Sequence, residues 1–269
     1  MTSFELIILT VAGLIAGILA GFLGIGGGTV LVPLLVALGY TPVEAVATSS
    51  LSIVITAISG SIQNWRMGYL RLNQVIGIGF PAILTAQIGV FLAELFSSRL
   101  LLFLFGCLLL LNVYLVELRK QITTRKKQQE EQQVSESTIF PNQNILFNPV
   151  FARILTGGTA GILAGLFGVG GGIIMVPLQI LLLGETIKIA IQISLGVIVI
   201  TAISACAGHA IQGNVLWSQG IILGVGGLLG AQISTRFLPK LSDQTVSLMF
   251  RIFLVILSIY IFKQAWIQS

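Results

Sequence analysis

The groups in this chain best placed to do chemistry are backbone groups. Residues 24–33 read Gly-Ile-Gly-Gly-Gly-Thr-Val-Leu-Val-Pro, and residues 168–177 read Gly-Val-Gly-Gly-Gly-Ile-Ile-Met-Val-Pro. Each glycine costs about 1 kcal/mol against alanine inside a helix, so three in a row should break one. A helix that restarts after such a break presents free N–H groups and about half a positive charge of dipole, an arrangement that favours an anion. Glycine has no side chain to keep the ligand off the backbone. Gly26, Gly27, Gly28 and Thr29, with Gly170, Gly171 and Gly172, are therefore candidate substrate-binding residues. A dinucleotide fingerprint needs glycine at its sixth position; Thr29 and Ile173 stand there instead, so that chemistry is excluded.

Side chains offer less. Ser50 and Ser194, with Thr48, Ser49 and Gln192 near them, lie early in apolar segments. Their hydroxyls can bind anion oxygens or simply bond their own helix backbone. Gln87 and Gln232 occupy matching places in two segments, either lining a pathway or tying helices together, because a buried amide needs partners. Arg251 stands about eight residues into the last segment, deep enough to be an anion counter-charge. His209, the one histidine, is expected in a solvated outer loop. No carboxylate falls in the middle of a segment, so no carboxylate proton relay is visible, and a sodium site built from backbone carbonyls stays open. No metal-ligand cluster and no catalytic triad can be assembled, so the chain is read as neither a metal protein nor an enzyme.

These residues are held by membrane-spanning elements. The chain has 269 residues, 55% hydrophobic and 9% charged, whereas a soluble domain carries about 25% charged residues. Apolar runs cover 4–22, 43–62, 72–95 and 100–118, with a short run at 29–38 and a polar loop expected over 64–71. A bilayer takes about 20 residues to cross, and ten reach only half of it. Residues 1–5 lack a basic stretch, so the first run is read as mature structure. Cys107 and Cys206 read as two buried, unpaired thiols.

The second half repeats the first. Ala-Gly-Ile-Leu-Ala-Gly recurs at 16–21 and 160–165, an offset of 144, which also pairs Pro33 with Pro177 and Ser50-Leu51 with Ser194-Leu195. An offset of 145 pairs Thr-Ala-Ile-Ser at 56–59 with 201–204, and Gln87 with Gln232. The domains are read as a first transmembrane repeat over 1–118, a polar basic linker over 119–149 and a second repeat over 150–269. The fold class is all-α and polytopic, with two repeats of five apolar segments, each containing a glycine-broken or re-entrant helix. An odd number of segments per repeat inverts the second copy. With the linker in the cytoplasm, 11 basic residues lie inside and two outside, which puts both termini outside. Gly13, Gly17, Gly157 and Gly161 fall four apart and are expected to let helices cross closely.

The doubled Gly-x-Gly-Gly-Gly-x-x-x-x-Pro, at 24–33 and 168–177, with a linker between the copies, resembles the sulfite exporter TauE/SafE family over nearly the whole chain outside the linker. The resemblance implies transport of a small, sulfur-containing anion such as sulfite, sulfoacetate or another sulfonate. The expected mechanism is alternating access, with substrate bound between the two breaks and one half rocking against the other. An anion channel and a non-transporting membrane scaffold are the rival readings. The expected partners are the small anion and the lipid bilayer; H+ and Na+ are both open as coupling ion, a homodimer is open as the assembly, and neither cofactor nor nucleic acid is implied. Gly27→Leu or Gly171→Leu is expected to remove binding while sparing the fold.

Overall fold

A computed structural model describes residues 3–111, 114 and 148–267, so almost all of the expected linker lies outside the described residues. Ten helices form among them: α1 (Ser3–Leu23), α2 (Gly28–Ala37), α3 (Pro42–Arg66), α4 (Leu72–Leu95), α5 (Ser98–Leu111), α6 (Pro149–Phe167), α7 (Gly172–Leu182), α8 (Ile187–Ile211), α9 (Trp217–Phe237) and α10 (Asp243–Ile267). Seven are long and apolar enough to cross a membrane, the exceptions being α2, α5 and α7. The fold is all-α, and no strand occurs among the described residues.

Local chemistry sets the helix starts. Thr41 caps α3 through a reciprocal box, in which the Glu44 N–H donates to Thr41 Oγ1 (3.3 Å) and the Thr41 N–H donates to Glu44 Oε2 (2.9 Å). Asn148 caps α6 just before Pro149, whose fixed φ suits a first turn. The polar loop expected at 64 begins later, because α3 runs on to Arg66 and buries Asn64 completely.

Helix bounds locate the slip between the repeats. Leu23 and Phe167 end equivalent helices 144 apart, while α3 and α8 are 145 apart at both ends. The extra residue lies in α7, which has 11 residues against ten in α2. Past that point the partner of Ser194 is Ser49, so the expected pairing of Ser50-Leu51 with Ser194-Leu195 is corrected by one residue.

The two halves interleave. α1 packs along α9 and α4 along α6, while α3 adds to the first pair and α8 to the second. Each half thus lends its fourth helix to the other. The lobes that result, α1–α3–α9 and α6–α8–α4, meet where α3 packs on α8. Lipid tails are as apolar as leucine, so close backbone packing has to supply the attraction. The small-residue stripes do this: Gly13 and Gly17 back onto Leu223 and Gly227 of α9, and Gly157 and Gly161 onto Ile78 and Ala82 of α4. Two side-chain clamps reinforce the pairs. Gln87 Nε2 donates to the Ser204 carbonyl (2.7 Å), and Gln232 Nε2 to the Ser59 carbonyl (3.1 Å). Each serine hydroxyl bonds back across the same pair, Ser204 to the Ile83 carbonyl (2.9 Å) and Ser59 to that of Leu228 (3.0 Å).

Two further expectations change. Cys206 is buried, but Cys107 is exposed. The inward face of α5 is taken by Leu101, Leu102, Phe105, Leu108 and Leu109, and Cys107 falls on the other side. His209 does not sit in a loop. It lies in the last turn of α8 with no exposed surface, because α8 continues to Ile211.

Candidate anion site at the glycine breaks

The breaks are hairpin turns. Gly27 caps α2 with φ 83°, and Gly171 caps α7 with φ 78°, a left-handed conformation that only glycine adopts at little cost. α2 then returns toward the start of α1, so that Tyr40 Oη donates to Glu5 Oε1 at 2.8 Å. At the equivalent place after α7, Glu185 is tied instead to the start of α4, accepting from Gln74 Nε2 (2.7 Å) and pairing with Arg71 (3.3 Å). The tight turns also bear on the leucine substitutions. A side chain at Gly27 would meet the Ala16 carbonyl, and one at Gly171 that of Ala160. Leucine at either position would break the hairpin, so gentler probes are needed.

The hairpin tips pack on each other. Gly28 lies against the Gly168 carbonyl and Val169, and Gly172 against the Gly24 carbonyl and Ile25. A Cβ at either glycine would overlap the opposing carbonyl. Two isoleucines flank the contact: a Cβ at Gly26 would sit 3.3 Å from Ile53 and 3.4 Å from Ile198, and Gly170 faces the same two side chains. Each isoleucine is the twelfth residue of a 25-residue helix, so the breaks meet at mid-span. α3 and α8 are also the most buried spans, at 67% and 78%.

Hydrogen bonding at the breaks is polarised. Three carbonyls are satisfied by hydroxyls: Gly168 by Ser49 Oγ (2.6 Å), Gly24 by Ser194 Oγ (2.7 Å) and Gly170 by Thr201 Oγ1 (2.9 Å). The N–H side is left open. α2 opens with Val30 and Leu31 donating to the Gly27 carbonyl, and α7 with Met175 donating to that of Gly171. The N–H groups of Gly28, Thr29, Gly172 and Ile173 have no acceptor among the described residues. Thr29 Oγ1 and Ser52 Oγ are likewise fully buried and without a partner. An unmatched buried donor costs about 1–3 kcal/mol, so the open N–H groups at the two breaks suit an acceptor-rich ligand. Among the described residues no group of three metal-ligating side chains exists.

The structure thus brings together Gly26, Gly27, Gly28, Thr29, Gly170, Gly171, Gly172 and Ser194. It places the other candidates elsewhere. Ser50 Oγ bonds one turn back to the Val46 carbonyl (3.0 Å), Gln87 and Gln232 hold helices together, and Arg251 Nη2 bonds Ser247 Oγ on its own helix (3.4 Å). Ser52, Ile53 and Ile198 escaped the sequence reading. Reading 145 rather than 144 through α3 would have paired Ser49 with Ser194 and Ile53 with Ile198; nothing in the sequence marks Ser52.

The family model described as sulfite exporter TauE/SafE matches residues 9–261, both breaks included. The chain belongs to the sulfite exporter TauE/SafE family. Three curated relatives match this TauE/SafE chain over most of its length. One is the probable membrane transporter protein YunE of Bacillus subtilis (strain 168), 27% identical, covering 93% of this chain and 95% of that one. Another is a probable membrane transporter protein of Xylella fastidiosa (strain 9a5c), 27% identical over 99% and 98% of the two chains. A third is the probable membrane transporter protein MJ0441 of Methanocaldococcus jannaschii, 28% identical over 75% and 71%. No solved structure matches. Family and spans together make this an integral, multi-pass membrane protein of a transporter family.

Proposed function

We propose that the protein is a secondary transporter of a small anion, of the sulfite or sulfonate type, bound between the two glycine breaks. The observation that carries this reading is the pair of opposed helix starts at mid-span, whose N–H groups, with Thr29 Oγ1 and Ser52 Oγ, lack acceptors. Such a site holds an anion by oriented dipoles and needs no buried lysine or arginine. The repeats are inverted, with the linker in the cytoplasm and both termini outside, so the breaks approach the midplane from opposite faces. Because each half lends a helix to the other, alternating access works between the interleaved lobes, not between the first and second halves. The contact of Gly28 on Gly168 and Gly172 on Gly24 is a closed arrangement, and substrate enters when the lobes part along α3 and α8.

Thermal shifts of the purified protein with sulfite, thiosulfate, sulfonates and carboxylates test the ligand class, since an anion that binds the folded state raises the unfolding temperature. Thr29→Val keeps the shape and removes the hydroxyl. The expected result is an unchanged or higher unfolding temperature without anion, and anion binding weaker by about 10- to 100-fold, since a bond to a charged group is worth about 1.5–3 kcal/mol. Unchanged affinity in Thr29→Val and Ser52→Ala alike would sink the site. Counterflow in proteoliposomes separates carrier from channel: unlabelled anion inside accelerates uptake of labelled anion through a carrier and not through a pore.

A further inference from the structure

His209 is the buried titratable side chain closest in its contacts to a break. Its Nε2 lies 2.9 Å from the Gly165 carbonyl, three residues before Gly168. A carbonyl can only accept, so Nε2 carries the hydrogen in the neutral ring, and Nδ1 keeps its lone pair. That Nδ1 is buried and has no partner. A purely structural tie needs only the Nε2 bond, which an amide could make as well. The equivalent position in the first repeat, 145 residues earlier, is Asn64, whose buried amide makes no such bond.

We propose that His209 Nδ1 is a proton-binding site that couples anion movement to H+. The inference rests on the anion-site reading above. Gly165 belongs to the last turn of α6, whose C-terminal carbonyls carry the negative end of the helix dipole. The break that ends α6 also starts α7, whose first N–H groups favour an anion. Proton and anion therefore bind at the two lips of one break. A lone buried imidazolium or a lone buried anion is costly, and each lowers the cost of the other. The coupling is reciprocal, and with a monoanion the loaded carrier moves as a neutral pair. Asn64 cannot titrate, which sets one proton per anion.

The neighbouring groups leave this assignment open to test. On α4 the charged side chain near this corner is Glu94. It is tied to the same corner, because Asn214 donates from its backbone N–H to the His209 carbonyl (3.1 Å) and from Nδ2 to Glu94 Oε1 (3.3 Å). On α8 itself the nearest titratable group is the buried thiol of Cys206. On α6 the charged side chain is Arg153, in the first turn at the opposite end, and Lys188 is at the opposite end of α8. α4 also presents Gln87, which is neutral, beside Gly208.

The test uses full-length protein in proteoliposomes, with labelled sulfite, methanesulfonate and sulfoacetate tried first in counterflow. Exchange of none of them by the wild type overturns the transport reading. With an anion that exchanges, acid outside should drive accumulation of about tenfold per pH unit at zero membrane potential, and a lumenal pH dye should report acidification on uptake. His209→Gln keeps an N–H donor for Gly165 and removes titration; His209→Asn, the residue at the equivalent position, is the second variant. The expected result for both is detectable counterflow with no pH-driven accumulation and no lumenal acidification. Wild-type exchange that ignores the pH gradient, or a variant that still accumulates anion against it, overturns the proton site and leaves the anion site standing.

Discussion

Three neighbouring hydroxyls on α3 show how little residue type says about role. Thr48 accepts from the Leu216 N–H (3.1 Å), Ser49 donates to the opposing break, and Ser50 bonds its own helix. Ser49 and Ser194 hold the carbonyls of Gly168 and Gly24 in matching geometry, 2.6 and 2.7 Å. Ser49→Ala and Ser194→Ala each leave a buried carbonyl without a donor and should cost about 1–3 kcal/mol, by similar amounts. Ser50→Ala removes a bond its helix does not need and should stay within about 0.5 kcal/mol. Thermal unfolding in detergent checks the contrast, and a Ser50 effect as large as the other two would refute it.

A clasp closes the mouth of the α1–α2 hairpin, and its counterpart ties the loop after α7 to the start of α4. Tyr40 bonds Glu5 and accepts from Gln219 Nε2 (3.4 Å), and at the equivalent place Glu185 accepts from Gln74. Burial, then the bond to Glu5, lifts the Tyr40 phenol above its usual value near 10. A group whose folded pKa is raised lends stability below its unfolded value, and that stability is lost as pH rises through the folded one. Wild-type unfolding temperature should therefore fall more steeply above about pH 10 than that of Tyr40→Phe, which has no phenol to ionise. Parallel curves for the two proteins would mean that the clasp carries no such load.

For the molecule as a whole, the decisive property is that the halves are not separate bodies. Gln87 and Ser204 lie in different halves but in one lobe, 2.8 Å apart between Nε2 and Oγ. In a background lacking Cys107 and Cys206, Gln87→Cys with Ser204→Cys can be joined by a short bifunctional reagent. If the lobes move, the joined protein keeps counterflow; if the halves rock apart, joining them stops it. The Gln232→Cys and Ser59→Cys pair repeats the test in the other lobe and should behave alike.

The sequence by itself determined the class and the symmetry. Its apolar runs, its two glycine-broken segments and its offset of 144 to 145 are properties of composition and order, and they led to the TauE/SafE family that the comparison found over 9–261. Helix periodicity and glycine cost are local, so the breaks at 24–28 and 168–172 were legible without coordinates. Only the tertiary structure decided what each break faces. That Gly28 rests on Gly168, that Ser49 and not Ser50 is the partner of Ser194, and that Gln87 clamps α4 to α8 all depend on which helix packs beside which. One extra residue in α7 was enough to shift the pairing of α3 with α8 by a residue, about 100° of helix. His209 escaped for the same reason: a lone histidine near a predicted helix end is ambiguous until the end of α6 is seen to cover it.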